Sequence, residues 1–255
     1  MTSLTPEHEA WRSQAWASYP LILTLSGLGR DDDSVFRSAT VSGADMGVPH
    51  PWGLRICAGD AVPDPDDAAA AIAWCTRRDA GHGWRVSAPD SRSADWGDLE
   101  REERSGVFAT DAGVAAAFPL VVPDGVRLDH DPTLADVRAA YGGWMGDDLL
   151  AALLVTADDL AHPDRAFVVA HLHGEPVGCA FVWWGAGTAY LSGIGVGERL
   201  RGRGIGNALT SAAAHVGAAR AGTDVVWMFA TTEGAALYGR LGFVLVDTEV
   251  QLRGG

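Results

Sequence analysis

The chain contains no lysine. All 19 basic residues are Arg, set against 33 Asp and Glu in 255 residues, a formal net charge of −14. That absence excludes a Schiff-base lysine, a lysine general base and the Gly-Lys-Ser/Thr end of a Walker phosphate loop. The acidic balance excludes broad binding to nucleic acid or anionic lipid, which needs a basic face to neutralise phosphates. A small local basic site stays compatible with it. Cysteine is scarce: Cys57, Cys75 and Cys179 are far apart, odd in number and without CxxC spacing. Neither a metal site nor a disulfide framework is indicated, and a cytoplasmic setting is expected. Long hydrophobic runs are missing too. The longest early one, Pro20 to Leu25, is far too short to span a bilayer, and Met1 to Gln14 lacks the layout of a signal peptide. The 47% hydrophobic fraction still provides for a real core.

The expected division is residues 1–122 and 123–255, with Val121 to Gly125 as a linker. In the first part, turn-rich stretches (Gly29 to Ser34, Asp45 to Gly53, Asp60 to Asp67) separate apolar segments. Asp31-Asp32-Asp33 reads as a surface turn. A helix is expected over Asp66 to Arg78, capped by Asp66 or Asp67, then a strand over Trp84 to Ala88 and a helix over Asp95 to Ser105. Val107 to Leu120 reads as strand-like.

The second part is more regular. Strands are expected over Val126 to His130, Ala166 to His173, Val177 to Trp184, Thr188 to Val196, Asp224 to Ala230 and Phe243 to Leu252. Helices are expected over Thr133 to Gly142, Asp147 to Leu160, Gly204 to Ala221 and Thr232 to Leu241. Tight turns make neighbouring strands antiparallel, and helical crossovers make others parallel. The reading is an α/β fold with a mixed, mostly antiparallel sheet and helices on both faces.

One loop carries the chemistry. Val196-Gly197-Glu198-Arg199-Leu200-Arg201-Gly202-Arg203-Gly204-Ile205-Gly206-Asn207 leaves a strand and opens a helix. Its glycines permit tight turns that expose successive amides, and the helix dipole points to the same spot. Arg199, Arg201 and Arg203 concentrate positive charge there. This is an anion site, best suited to a phosphate or pyrophosphate. A dinucleotide fingerprint fails, because Asn207 stands where the third Gly belongs and Asp224 precedes its strand rather than following it.

Arg201-x-x-Gly204-x-Gly206 instead resembles the Arg/Gln-x-x-Gly-x-Gly/Ala signature of the Gcn5-related N-acetyltransferase (GNAT) superfamily. Ala235 to Phe243, with Leu237-Tyr238-x-x-Leu241-Gly242-Phe243, resembles that family's second signature. The resemblance covers roughly the last 130 residues. It implies acetyl-CoA as cosubstrate, lying where strands Thr188–Val196 and Asp224–Ala230 splay apart. Main-chain groups of Ile194 and Val196 would pair with the pantetheine amides. The loop Arg201, Gly202, Arg203, Gly204, Ile205 and Gly206 would hold the pyrophosphate. Tyr238 would protonate the leaving thiolate. Thr231 stands where relatives often carry Asn, and would bond cofactor or backbone.

The resemblance implies a primary amine as acceptor. A small molecule is the expectation, with small amines, aminoglycosides, amino acids, peptide N-termini and thiol-cofactor precursors all open, and no nucleic acid or membrane partner is expected. The general base stays open between Glu198, His171 and His173 (read as sharing one face of a strand) and an ordered water. A non-catalytic CoA-binding module is the alternative. The first half reads as a degenerate GNAT-like or cap domain. In it Leu99 to Val107 would echo the final helix and turn, and no counterpart of the anion loop exists.

Overall fold

The computed structural model describes residues 4–25 and 33–255. Gly29 to Asp32, part of the turn expected near Asp31-Asp32-Asp33, lie outside them. Two compact units form. The first gathers residues 1–108, 229–232 and 245–255, and the second residues 109–228 and 233–244. The Val121 to Gly125 segment falls within the second.

In the first unit, α1 (Pro6–Leu25) opens the chain. Sequence reasoning saw no helix here. Its buried Ala15, Trp16, Tyr19, Ile22 and Leu23 nonetheless recur at helical spacing. Pro20 lies inside α1 and cannot donate to the Trp16 carbonyl. That carbonyl instead lies against Gly59, where an added Cβ would sit 2.6 Å from it. The strands β1 (Val35–Arg37), β2 (Ser42–Asp45) and β3 (Leu54–Cys57) run antiparallel in turn. A crossover through α2 (Pro65–Arg78) makes β4 (Trp84–Pro89) parallel to β3. Asp64 caps α2, ahead of the expected Asp66 or Asp67, because Pro65 takes the first helical position. The core joins Ile56, Trp74, Trp84 and Val86 with Val250 and Leu252 from the C-terminal strand.

The helix expected over Asp95 to Ser105 is absent. Asp90–Trp96 forms a 3-10 turn, Gly97 stops it at φ +70°, and β5 (Glu100–Asp111) follows. The charges that read as helical serve cross-strand pairs instead: Glu102 meets Arg85 at 2.6 Å and Arg253 at 3.1 Å. Leu99 to Val107 therefore does not echo the final helix, and Ser105 to Phe108 lies in a strand. Val107 to Leu120 is strand only as far as Asp111, which then caps α3 (Ala112–Ala116).

The second unit continues with β6 (Val126–Asp129) and α4 (Leu134–Met145), whose Thr133–Asp136 capping box agrees with the expected cap. The helix expected over Asp147 to Leu160 divides into α5 (Asp148–Leu154) and α6 (Ala157–Ala161). A second capping box, Thr156 with Asp159, restarts it. Asp159 is buried and ion-paired with Arg165. Then come β7 (Arg165–Leu172), β8 (Glu175–Gly185), β9 (Thr188–Val196), α7 (Ile205–Ala219), β10 (Val225–Ala230), α8 (Thr232–Leu241) and β11 (Val244–Gly254).

Within the second unit the strand order is β10-β9-β8-β7-β6, and within the first it is β1-β2-β3-β4-β11-β5. The sheet is mixed, with antiparallel pairs predominating. Helices cover both faces: α4 packs on Cys179 and Phe181, and α7 approaches Gly178 and Val182. All three cysteines are buried, and burial pushes each thiol upward, Cys57 to about 12. No helix among the described residues is long and apolar enough to cross a membrane.

Candidate active site

The site starts from the parallel pair β9 and β10. They pair through Thr188↔Val225, Ala189↔Val226, Tyr190↔Trp227 and Leu191↔Met228. The ladder ends there, while β9 runs on to Val196. On its other side, β9 shifts register against β8 between Cys179 and Phe181, so Gly193 and Ile194 oppose the single residue Ala180. Gly193 takes φ +57°. This is a β-bulge, which bends the strand and sharpens its twist. Among the described residues, β9 from Ser192 to Val196 is paired on its β8 side alone. Ile194 and Val196 lie in this stretch, with open main-chain groups on the other side.

Beyond β9, Glu198–Leu200 makes a 3-10 turn held by Leu200 N to Gly197 O, 2.9 Å, and Arg201 N to Glu198 O, 3.2 Å. Gly202 and Gly204 adopt φ +76° and +82°, the left-handed region that glycine enters without steric cost. Gly204 is the N-cap of α7 and offers no side-chain acceptor. The first amide bonded back into the helix is that of Ala208, to Gly204 O at 3.1 Å. Ile205, Gly206 and Asn207 therefore present unsatisfied donors at the positive end of a 15-residue helix. A Cβ at Gly202 would meet nothing within 4 Å, and one at Gly204 only Pro123 Cγ at 3.4 Å. Arg199, Arg201 and Arg203 are exposed. This cradle fits a pyrophosphate.

The first unit's crossover makes a useful contrast. There Asp64 accepts from the amides of Asp66 and Asp67, so α2 caps itself. Asp60 of the same loop is held by Arg12 at 2.8 Å and Ser13 at 2.9 Å. The same connection, strand to helix to parallel strand, is thus acidic and self-satisfied in one unit and basic and open in the other.

Three elements converge at Gly206, where a Cβ would lie 3.7 Å from Leu237 Cδ1 and 4.0 Å from Val196 Cγ2. Leu237 precedes Tyr238 on α8. The half-buried Tyr238 ring packs over Gly234, one turn back, and meets Phe243 edge-on at 6.3 Å. Burial pushes its phenol above the ordinary value. Gly242, at φ +110°, ends α8, and Phe243 is buried against Phe118. Thr231 sits exposed at the β10–α8 junction.

The candidate bases separate. His171 is buried and its Nδ1 lies 3.3 Å from Gly174 O, locking the hairpin. His173 is not on the strand face expected for it; it forms the turn itself at φ +54°. Glu198 is exposed. Ser192 accepts from Trp183 Nε1 at 2.9 Å.

From sequence Trp144 reads as a core side chain, but its partner does not: the indole lies directly on Gly195 and leaves no room for a Cβ. The signal was present in Gly193 and Gly195, because glycine inside a strand marks a bulge or a close approach. Gly195→Ala is expected to displace Trp144 and cost about 1–3 kcal/mol, as overpacking does. Thermal unfolding of the variant checks this, and an unchanged midpoint would contradict it.

Residues 134–243 match the family model described as acetyltransferase (GNAT) family. No curated protein matches the chain. Among solved structures, the chain is similar to a GCN5-related N-acetyltransferase from Kribbella flavida, at 18% identity over 96% of both chains, TM-score 0.69. It is similar to a tandem GNAT protein from the clavulanic acid biosynthesis pathway, at 14% identity over 98% of this chain and 96% of that one, TM-score 0.56. A third, a GCN5-related N-acetyltransferase from Sphaerobacter thermophilus, shares 17% identity over 84% of this chain and 76% of that one, TM-score 0.54. At these identities the likeness is one of fold.

Proposed function

We propose, from the GNAT acetyltransferase domain spanning residues 134–243, that the protein transfers an acetyl group from acetyl-CoA to the primary amine of a small molecule. The observation that carries this reading is the uncapped N-terminus of α7 with three exposed Arg beside it. In this reading the amides from Arg201 to Gly206 hold the pyrophosphate, and Arg201 and Arg203 add charge-assisted bonds. Ile194 and Val196, past the bulge, pair with the pantetheine amides as an added strand would. Thr231 bonds to the cofactor or nearby backbone.

The amine nitrogen attacks the thioester carbonyl. A C–N bond forms and the carbonyl oxygen gains negative charge, which a main-chain N–H near Ile194 or Val196 stabilises. The C–S bond then breaks, the thiolate takes a proton from Tyr238, and the amine proton leaves to solvent or a bound water. The first half is either a degenerate GNAT-like domain or an unrelated cap domain, and in neither case a CoA site. Its Asp64-capped crossover has no amides left for a phosphate.

The test is release of free thiol from acetyl-CoA with a panel of small amines, alongside calorimetry with CoA. Turnover with any amine supports the transferase. Binding without turnover across the panel favours a CoA-binding module, and absence of CoA binding removes both.

A further inference from the structure

Exposed apolar side chains lie beside the anion loop. Leu120, Val121 and Val122 are 43%, 72% and 39% exposed and stand consecutively between Pro119 and Pro123. This strap is tied at both ends. Upstream, Phe118 is buried against Phe243 with ring centroids 5.1 Å apart, and its carbonyl lies 2.9 Å from His215 Nε2 on α7. Downstream, Val126 N donates to Pro123 O at 3.0 Å, with Gly125 at φ +75°, and β6 begins. Pro123 faces Gly204, the cap of α7. The strap therefore follows α7 from His215 back to its N-terminus. Held at both ends, the strap leaves three consecutive apolar side chains in solvent, an area matched to a small ligand rather than to a protein.

Its surroundings select the occupant. Three side chains are too few for a protein partner, which needs about 800 Å² from each side. A single flat ring with phosphates attached matches both the strap and the neighbouring Arg199, Arg201 and Arg203. We infer that Leu120, Val121 and Pro123 form a shelf for the adenine ring of CoA, so that the protein selects nucleotide-bearing thioesters over bare phosphopantetheine ones. The inference rests on the proposed function but assigns a separate contact. A shelf supplied by the segment ahead of β6 adds nothing to the pantetheine or pyrophosphate contacts, so the two can fail independently.

The experiment is calorimetry on the full chain with CoA and with 4′-phosphopantetheine, for the wild type and for a Leu120→Ser, Val121→Ser double variant. Both side chains are exposed, so folding is retained, and a thermal melt confirms it. The wild type is expected to bind CoA at least about tenfold more tightly than phosphopantetheine. The double variant is expected to lose about tenfold for CoA and nothing for phosphopantetheine. Equal weakening for both ligands, no weakening for either, or a wild type without preference overturns the shelf. A double variant that keeps the wild-type preference for CoA overturns the shelf and leaves the proposed function standing. One that binds neither ligand overturns that function itself.

Discussion

Tyr238→Phe is expected to lower kcat by about 100-fold while leaving CoA affinity within twofold of the wild type, because losing a positioned general acid removes about two to four orders of magnitude. The substitution isolates the hydroxyl. The ring stays, so its packing over Gly234 and its edge contact with Phe243 persist. The pH dependence separates an acid from a packing residue. Only the neutral phenol can donate a proton, and burial raises the pKa of Tyr238 above the usual value near 10. The donor form thus persists through neutral and mildly alkaline pH and disappears as pH rises through the raised value. Wild-type kcat should carry an alkaline limb at that position, and the Phe variant should lack it. Single-turnover rates from pH 7 to 11 measure this. Equal kcat for both proteins, or the same alkaline limb in both, would assign Tyr238 to packing alone.

The parts of this site that sequence made legible are those written in local chemistry. The β9 strand and α8 helix have the bounds that alternation and glycine punctuation suggest. The Arg201-x-x-Gly204-x-Gly206 spacing marks a loop that turns twice through left-handed backbone. What stayed hidden depends on contacts between distant residues. The strand Glu100–Asp111 looks helical because its Glu and Arg residues suit a helix. In the strand Glu102 instead meets Arg253 on the adjacent β11 and Arg85 on β4 beyond it. The helix α1 was masked by its polar start and by Pro20 inside it.

The C-terminal strand is a further case. Its alternation shows a strand, but nothing local shows that Val250 pairs with Ala88 and Leu252 with Val86 in the first unit's sheet. The bulge at Gly193 and the Trp144–Gly195 contact belong to the same class. Each glycine is visible in the sequence, but the ring or register that requires it lies elsewhere in the chain.

The other large effect is expected from Gly204→Asp, which should raise the Kd for CoA at least 100-fold, about 2.7 kcal/mol, without unfolding the domain. Two outcomes are open to the new side chain, and both end binding. If residue 204 keeps φ near +82°, it carries left-handed strain of about 1–2 kcal/mol, and its carboxylate stands where the pyrophosphate would lie. If it moves to extended backbone, it can bond the first-turn amides as Asp64 does on α2, recovering about 1 kcal/mol. The loop then becomes a copy of the first unit's self-capped crossover. The net stability change is about 1–2 kcal/mol or less, a few degrees in a thermal melt.

Gly204→Ala separates the two contributions, since it carries the strain without the charge and has only the 3.4 Å contact with Pro123 to accommodate. It should weaken CoA binding far less than Asp does. If Asp and Ala weaken binding equally, backbone strain rather than anion recognition governs the loop. If Asp binds CoA as the wild type does, the phosphate site is not at the N-terminus of α7.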